Sequence, residues 1–201
     1  MLSHYTMYRR RPKDAGPLPE GVRKDTRYGT KHDRARHIAG HATLALAQGI
    51  DVELLTIEKP DSVIVDRDGA RFIDEGTMLH ILYHWSTSLF RQSKFAETLI
   101  RIALAGPCSE IVHRDEMCCV EVIQKDKIDW KLAWQTVKRL WSDENRGLDY
   151  LARKIKRVER FLQHDQYLAS VGHISAALLQ NGVLNGRRVK ELYEQSTLCW
   201  V

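Results

Sequence analysis

The chain has 201 residues, 43% of them apolar, which is typical of one domain with a substantial hydrophobic core. No apolar run approaches the roughly 18 residues of a membrane span, and residues 1–11 lack the apolar stretch of a signal peptide. The four cysteines show no C-x-x-C spacing, which argues against a disulfide framework or a cysteine zinc site. We therefore expect a cytoplasmic protein without a membrane span.

Positive charge is concentrated near the N-terminus. Residues 1–36 hold ten Lys/Arg and four Asp/Glu, net +6, whereas residues 37–201 carry a net charge of −1. Three of the five prolines also lie in this region. The pattern predicts a basic N-terminal arm over residues 1–31, a domain over 32–195 and a short tail over 196–201. Such an arm can contact nucleic acid or an acidic partner, or it can be a solvated tail.

The first predicted element is an Ala-rich helix over residues 36–47, which contains His37 and His41. Residues four apart lie on one helix face, so both imidazoles can reach one metal ion; a solvated or core-satisfied pair is the alternative. The peptidase motif H-E-x-x-H has this spacing and carries a glutamate as general base at its second position. Here that position is Ile38.

The elements that follow are a small β region and then a series of helices. Residues 51–58 alternate in polarity and the β-rich pattern resumes at residues 62–65, which predicts one or two strands or a hairpin, with a turn at Asp68-Gly69. From about Thr77 to the end, helical periodicity dominates. The predicted helices carry apolar stripes at 78–90 and 95–103 and continue at 128–140, 146–164, 166–180 and 186–195. The predicted fold is mainly α, with a small β element after the motif helix.

These elements, in this order, resemble the zinc peptidase domain of FtsH-type AAA metalloproteases over residues 32–195. The motif helix of that family reads HEAGHA where residues 37–42 read HIAGHA. A β segment follows at 52–57, and residues 104–110, LAGPCSE, match the family pattern Leu-Ala-Gly-x-x-x-Glu. Residues 129–133 match its Asp-x-x-x-Ala segment, and residues 176–186 are similar to its closing helix and Leu-x-Gly turn. The resemblance implies a helical metallopeptidase-like domain.

The resemblance also implies a ligand set for zinc, consisting of His37, His41 and, as third ligand, Asp129. The alternative role for Asp129 is the N-cap of the helix that follows it. Glu110 lies in the matching family segment, and we expect it to be structural, bonded to backbone or to a basic side chain. Because ligands bind metal when deprotonated, we expect affinity to weaken below about pH 6, where ordinary histidines protonate.

Two departures from the family bear on function. These 201 residues contain neither an ATPase module nor a membrane anchor, and Ile38 cannot accept a proton. A positioned general base contributes about 10²–10⁴-fold to a rate. We therefore expect a pseudoenzyme that acts by binding or regulating another protein. An active zinc metallopeptidase with a substitute base, such as Asp33 or Glu110, is one alternative, and a nucleic-acid-binding protein that uses the basic arm is another.

Overall fold

A computed structural model describes residues 30–57, 63–67, 70–71, 89–125 and 127–198. Within these ranges the fold is mainly α, as the sequence predicts, with seven helices and a small antiparallel sheet. The arm over residues 1–29, the turn at 68–69, the part of the apolar stripe at 78–88 and the last three residues lie outside the described ranges. None of the helices in these ranges combines the length and hydropathy that a membrane crossing requires.

The helices and strands have the following bounds. The helices are α1 (Lys31–Ala47), α2 (Leu89–His113), α3 (Val120–Ile123), α4 (Lys127–Leu140), α5 (Glu144–Leu162), α6 (Asp165–Asn181) and α7 (Gly186–Leu198). The strands are β1 (Asp51–Thr56), β2 (Val63–Arg67), β3 (Ala70–Arg71) and β4 (Val183–Asn185).

Helix α1 is the central element of the fold. Thr30 caps its N-terminus, because the Thr30 hydroxyl accepts a hydrogen bond from the Asp33 main-chain N–H at 3.1 Å. The helix is buried over most of its length, since small side chains such as Ala39 and Ala42 let α2 and α6 pack closely on it. A helix buried in this way carries its histidines into the interior, where their ring nitrogens need partners.

The sheet has the strand order β3-β2-β1-β4, and every neighbouring pair is antiparallel. Strands β1 and β2 confirm the predicted β region. Strand β4 was not predicted, because the periodicity from Thr77 onward favours helices alone. A three-residue strand shows no periodicity of its own; it forms by pairing Leu55 with Leu184 and burying the Leu184 side chain.

One connected core of buried side chains joins these elements. Helix α2 supplies its largest run of apolar side chains and packs against α1, α4 and α5, whereas α6 packs on α1. The fully buried large residues on these helices include Leu99, Ile100, Leu104, Leu151, Ile155, Ile174 and Leu178. This packing fixes α1, α2 and α4 against one another, so polar groups from three distant segments meet at one point.

Candidate metal centre

His37 and His41 lie side by side on the buried face of α1. They are 3% and 8% exposed, and their ring centroids are 4.7 Å apart. Both Nε2 atoms face the same carboxylate oxygen of Asp129: Oδ2 lies 2.8 Å from His37 Nε2 and 3.3 Å from His41 Nε2. One ligand atom from each residue lies within 4.8 Å of the others. The structure therefore brings the three predicted ligands together as a buried group that could hold a metal ion.

Asp129 reaches the site from the first turn of α4. The helix begins at Lys127, so Asp129 is its third residue, and the N-cap role is wrong. The partial positive charge at a helix N-terminus favours a carboxylate in this turn. Its side chain thus gains support from its own helix while it faces the two imidazoles.

The second ring nitrogen of each histidine is also engaged. His37 Nδ1 lies 2.7 Å from Glu110 Oε1, and His41 Nδ1 lies 2.6 Å from the main-chain oxygen of Ile102. A carbonyl oxygen only accepts hydrogen bonds, so His41 Nδ1 carries the hydrogen and donates it. The Glu110 carboxylate likewise accepts a hydrogen bond from His37 Nδ1. Metal-binding histidines have this arrangement, because it aims the Nε2 lone pair at the ion and makes it more basic.

Glu110 has a larger role than the sequence indicates. It contacts a basic side chain as expected, since Arg114 Nη1 lies 3.6 Å from its Oε2. Its shorter contact, however, is with His37, which sequence reasoning did not anticipate. In the structure, Glu110 lies four residues after Gly106 and therefore on the same face of α2. Glu110 orients the histidine from the side of the ring opposite Nε2.

The charges at the site favour a cation. Burial alone would lower the pKa of His37, but hydrogen bonds and charge attraction from Asp129 and Glu110 outweigh burial and raise that pKa to about 10. Burial would raise the pKa of the Asp129 carboxyl, yet the imidazoles of His41 and His37 hold it well below its usual range. A protonated His37 and a metal ion would therefore compete for the same carboxylate of Asp129.

Helix α2 approaches the ligand atoms through a glycine. A Cβ atom at Gly106 would overlap His41 Nε2 and lie 2.6 Å from His37 Nε2, so any side chain at this position would displace the two imidazoles. The same helices meet at Gly40, where a Cβ would lie 2.6 Å from the main-chain oxygen of Ala105. The two glycines let α1 and α2 come close enough for the α2 main chain to line the site.

The position of the missing base is apolar in the structure. Ile38 is 2% exposed and belongs to the hydrophobic core. The two proposed substitutes are engaged elsewhere: Asp33 accepts from the Thr30 hydroxyl at 2.9 Å and lies 3.9 Å from Arg36, at the start of α1. Glu110 faces His37 Nδ1 rather than Nε2. Among the described residues, the group that could hold a metal ion consists of His37, His41 and Asp129 and includes neither of these carboxylates.

Comparison with known proteins adds no assignment. No family model matches this sequence, and no curated protein matches it. The similarity to the FtsH-type peptidase domain therefore stays a prediction that rests on the motif residues, and the chemistry of the site rests on its geometry.

Proposed function

We propose that the chain is a zinc-binding protein with an FtsH-peptidase-like metal centre, that it has lost the catalytic base, and that it acts by binding another protein. One observation carries the proposal. Two imidazoles whose Nδ1 positions are held by Glu110 and Ile102 converge through Nε2 on Asp129.

The donor set supports zinc over other common ions. Two imidazole nitrogens and one carboxylate oxygen match a three-ligand zinc site with an open fourth position. Magnesium and calcium prefer sets made of oxygen ligands. The engaged Nδ1 atoms also fix both rings before metal arrives, so little ordering cost remains for binding.

The absence of a base at residue 38 supports a non-catalytic role. Zinc makes its bound water more acidic, but peptide hydrolysis also requires a group that takes the proton and delivers it to the leaving amine. Ile38 can do neither. We therefore expect metal binding without turnover.

A protein partner is supported by the aromatic surface of α4 and α5. Trp141 is 40% exposed, and its ring lies 6.1 Å from the ring of Tyr150. Trp134 lies beside it along a pocket of about 150 Å³ and stacks on Trp130 at 6.1 Å. Partly exposed Trp and Tyr are enriched at protein interfaces. Helix α4, which carries Trp130 and Trp134, also supplies Asp129.

The proposal is tested by restoring the base. We expect zinc-loaded wild type and the Ile38→Gln variant to cleave fluorescently labelled unfolded casein at background rate. A well-positioned general base contributes about 10²-fold or more to the rate. We expect the introduced Ile38→Glu carboxylate to recover part of this, at least about a tenfold rise in the zinc-dependent rate. Robust zinc-dependent proteolysis by the wild type would contradict the pseudoenzyme proposal.

The Ile38→Gln variant is the matched control. Residue 38 is buried, so either polar side chain lowers stability, and glutamine reproduces the size of glutamate without its basicity. Circular dichroism checks whether both variants fold, and their zinc content checks whether the metal centre is intact. If both variants lose zinc, the zinc-loaded wild type decides. Cleavage at the background rate then agrees with the proposal, and faster cleavage contradicts it.

A further inference from the structure

A half-open cavity of about 300 Å³ lies on the side of α1 and α2 that faces α6. Its walls are mainly apolar and come from α2, the end of α5, and α6. The apolar lining includes Val112, Leu162, Val171 and Leu179. Ligand cavities commonly begin near this size and combine an apolar lining with a few polar groups.

One end of the cavity is positively charged. Arg36 and His113 line it, and the Arg36 guanidinium lies 3.9 Å from Asp33, its one carboxylate contact among the described residues. The positive charge comes from Arg36, because burial and the neighbouring Arg36 charge lower the pKa of His113, so its imidazole is neutral near pH 7. Arg36 is therefore the charged lining residue that can pair with an anion in this cavity.

Gly172 is one of the residues that line the cavity. It lies inside helix α6, where glycine weakens a helix relative to alanine. A Cβ atom at this position would meet no atom within 4 Å, so no neighbouring group requires glycine there. A larger side chain at residue 172 would instead project into the space beside Leu168 and Ala176, which line the same cavity.

We propose that this cavity binds a small aliphatic carboxylate, with the alkyl chain against the apolar wall and the carboxylate on Arg36. Arginine pairs with carboxylates through two parallel hydrogen bonds, which fixes the orientation of the ligand. The limited volume favours a short chain over a peptide segment. The inference is independent of the proposed zinc chemistry, because it uses none of the three metal ligands.

The first test compares a carboxylate with its uncharged counterpart. Hexanoate and 1-hexanol are titrated into the full-length protein, and binding is followed by isothermal titration calorimetry. We expect saturable one-to-one binding of hexanoate, roughly tenfold or more tighter than 1-hexanol, and loss of this preference in Arg36→Gln. Equal binding of the two compounds, or no binding, overturns the proposal. So does tighter binding of a peptide that ends in leucine, which would assign the cavity to a protein C-terminus.

The second test fills the cavity. Gly172→Leu is expected to weaken hexanoate binding by roughly tenfold or more, whereas Gln180→Leu, on the same helix but outside the cavity, leaves it unchanged. Circular dichroism checks that both variants fold. Hexanoate binding that is the same in both folded variants shows that the ligand lies elsewhere and overturns the proposal. If Gly172→Leu does not fold, the Arg36→Gln comparison decides.

Discussion

At the scale of single residues, His37 links the metal centre to protonation. Its pKa is raised to about 10, so without metal this imidazole carries a second proton and a positive charge throughout the neutral range. A raised pKa stabilises the fold fully below the unfolded value of 6.5, and that contribution is lost as pH rises through about 10. The ordinary histidine pKa would place proton competition with zinc near pH 6. The carboxylates of Asp129 and Glu110 move this competition to higher pH.

This shift predicts the pH dependence of zinc binding. Zinc must displace the His37 proton, so the logarithm of the apparent affinity is expected to rise by about one per pH unit between about pH 7 and 9. Calorimetry at pH 8 in buffers of different ionisation enthalpy is expected to show about one proton released per zinc from this group. An affinity that is flat above pH 7 would show that the carboxylates do not hold the proton.

Gly106 provides a steric test of the site. Gly106→Ala is expected to abolish zinc binding, because the added methyl group overlaps the space between the two Nε2 atoms. Gly172→Ala is the matched control, since its methyl group meets no atom within 4 Å, and we expect it to bind zinc like the wild type. Zinc titration with a competing chelator distinguishes the two. Equal zinc affinity of both variants would mean that the metal does not bind where α2 crosses α1.

At the scale of elements, the sequence predicts the helices better than the contacts between them. The Ala-rich sequence around His37 predicts α1, because alanine has the highest helix propensity and a buried helix is apolar on all sides. Strand β4 and the contact between His37 and Glu110 depend on residues far apart in the chain, which no local pattern encodes. Asp129 was predicted from the family resemblance alone, and its spacing from the histidines gives no sign of the contact.

The cap of α1 tests how far this helix depends on its N-terminus. Thr30→Ala removes the acceptor for the Asp33 N–H and is expected to lower the free energy of unfolding by about 1 kcal/mol. Thr30→Ser retains the acceptor and is expected to stay within about 0.5 kcal/mol of wild type. Urea denaturation of the three proteins measures the difference. Equal stability of Thr30→Ala and wild type would show that α1 is held by packing alone.

At the scale of the whole molecule, one core unites the helices that supply the site. Helices α1, α2 and α4 contribute the ligands and their partners, and each also buries apolar residues in that core. A metal that binds only the folded arrangement therefore stabilises the whole domain, by about 2.7 kcal/mol when free zinc is 100 times its Kd.

The zinc content of purified variants tests directly whether His37, His41 and Asp129 form a metal centre. After zinc loading and dialysis, elemental analysis is expected to find about one zinc per wild-type chain and almost none in His41→Ala or Asp129→Ala. Asp33→Ala, which removes a carboxylate from the same helix as the histidines but outside the site, is expected to retain the metal. Wild type and Asp129→Ala with equal zinc content would contradict a metal centre formed by His37, His41 and Asp129.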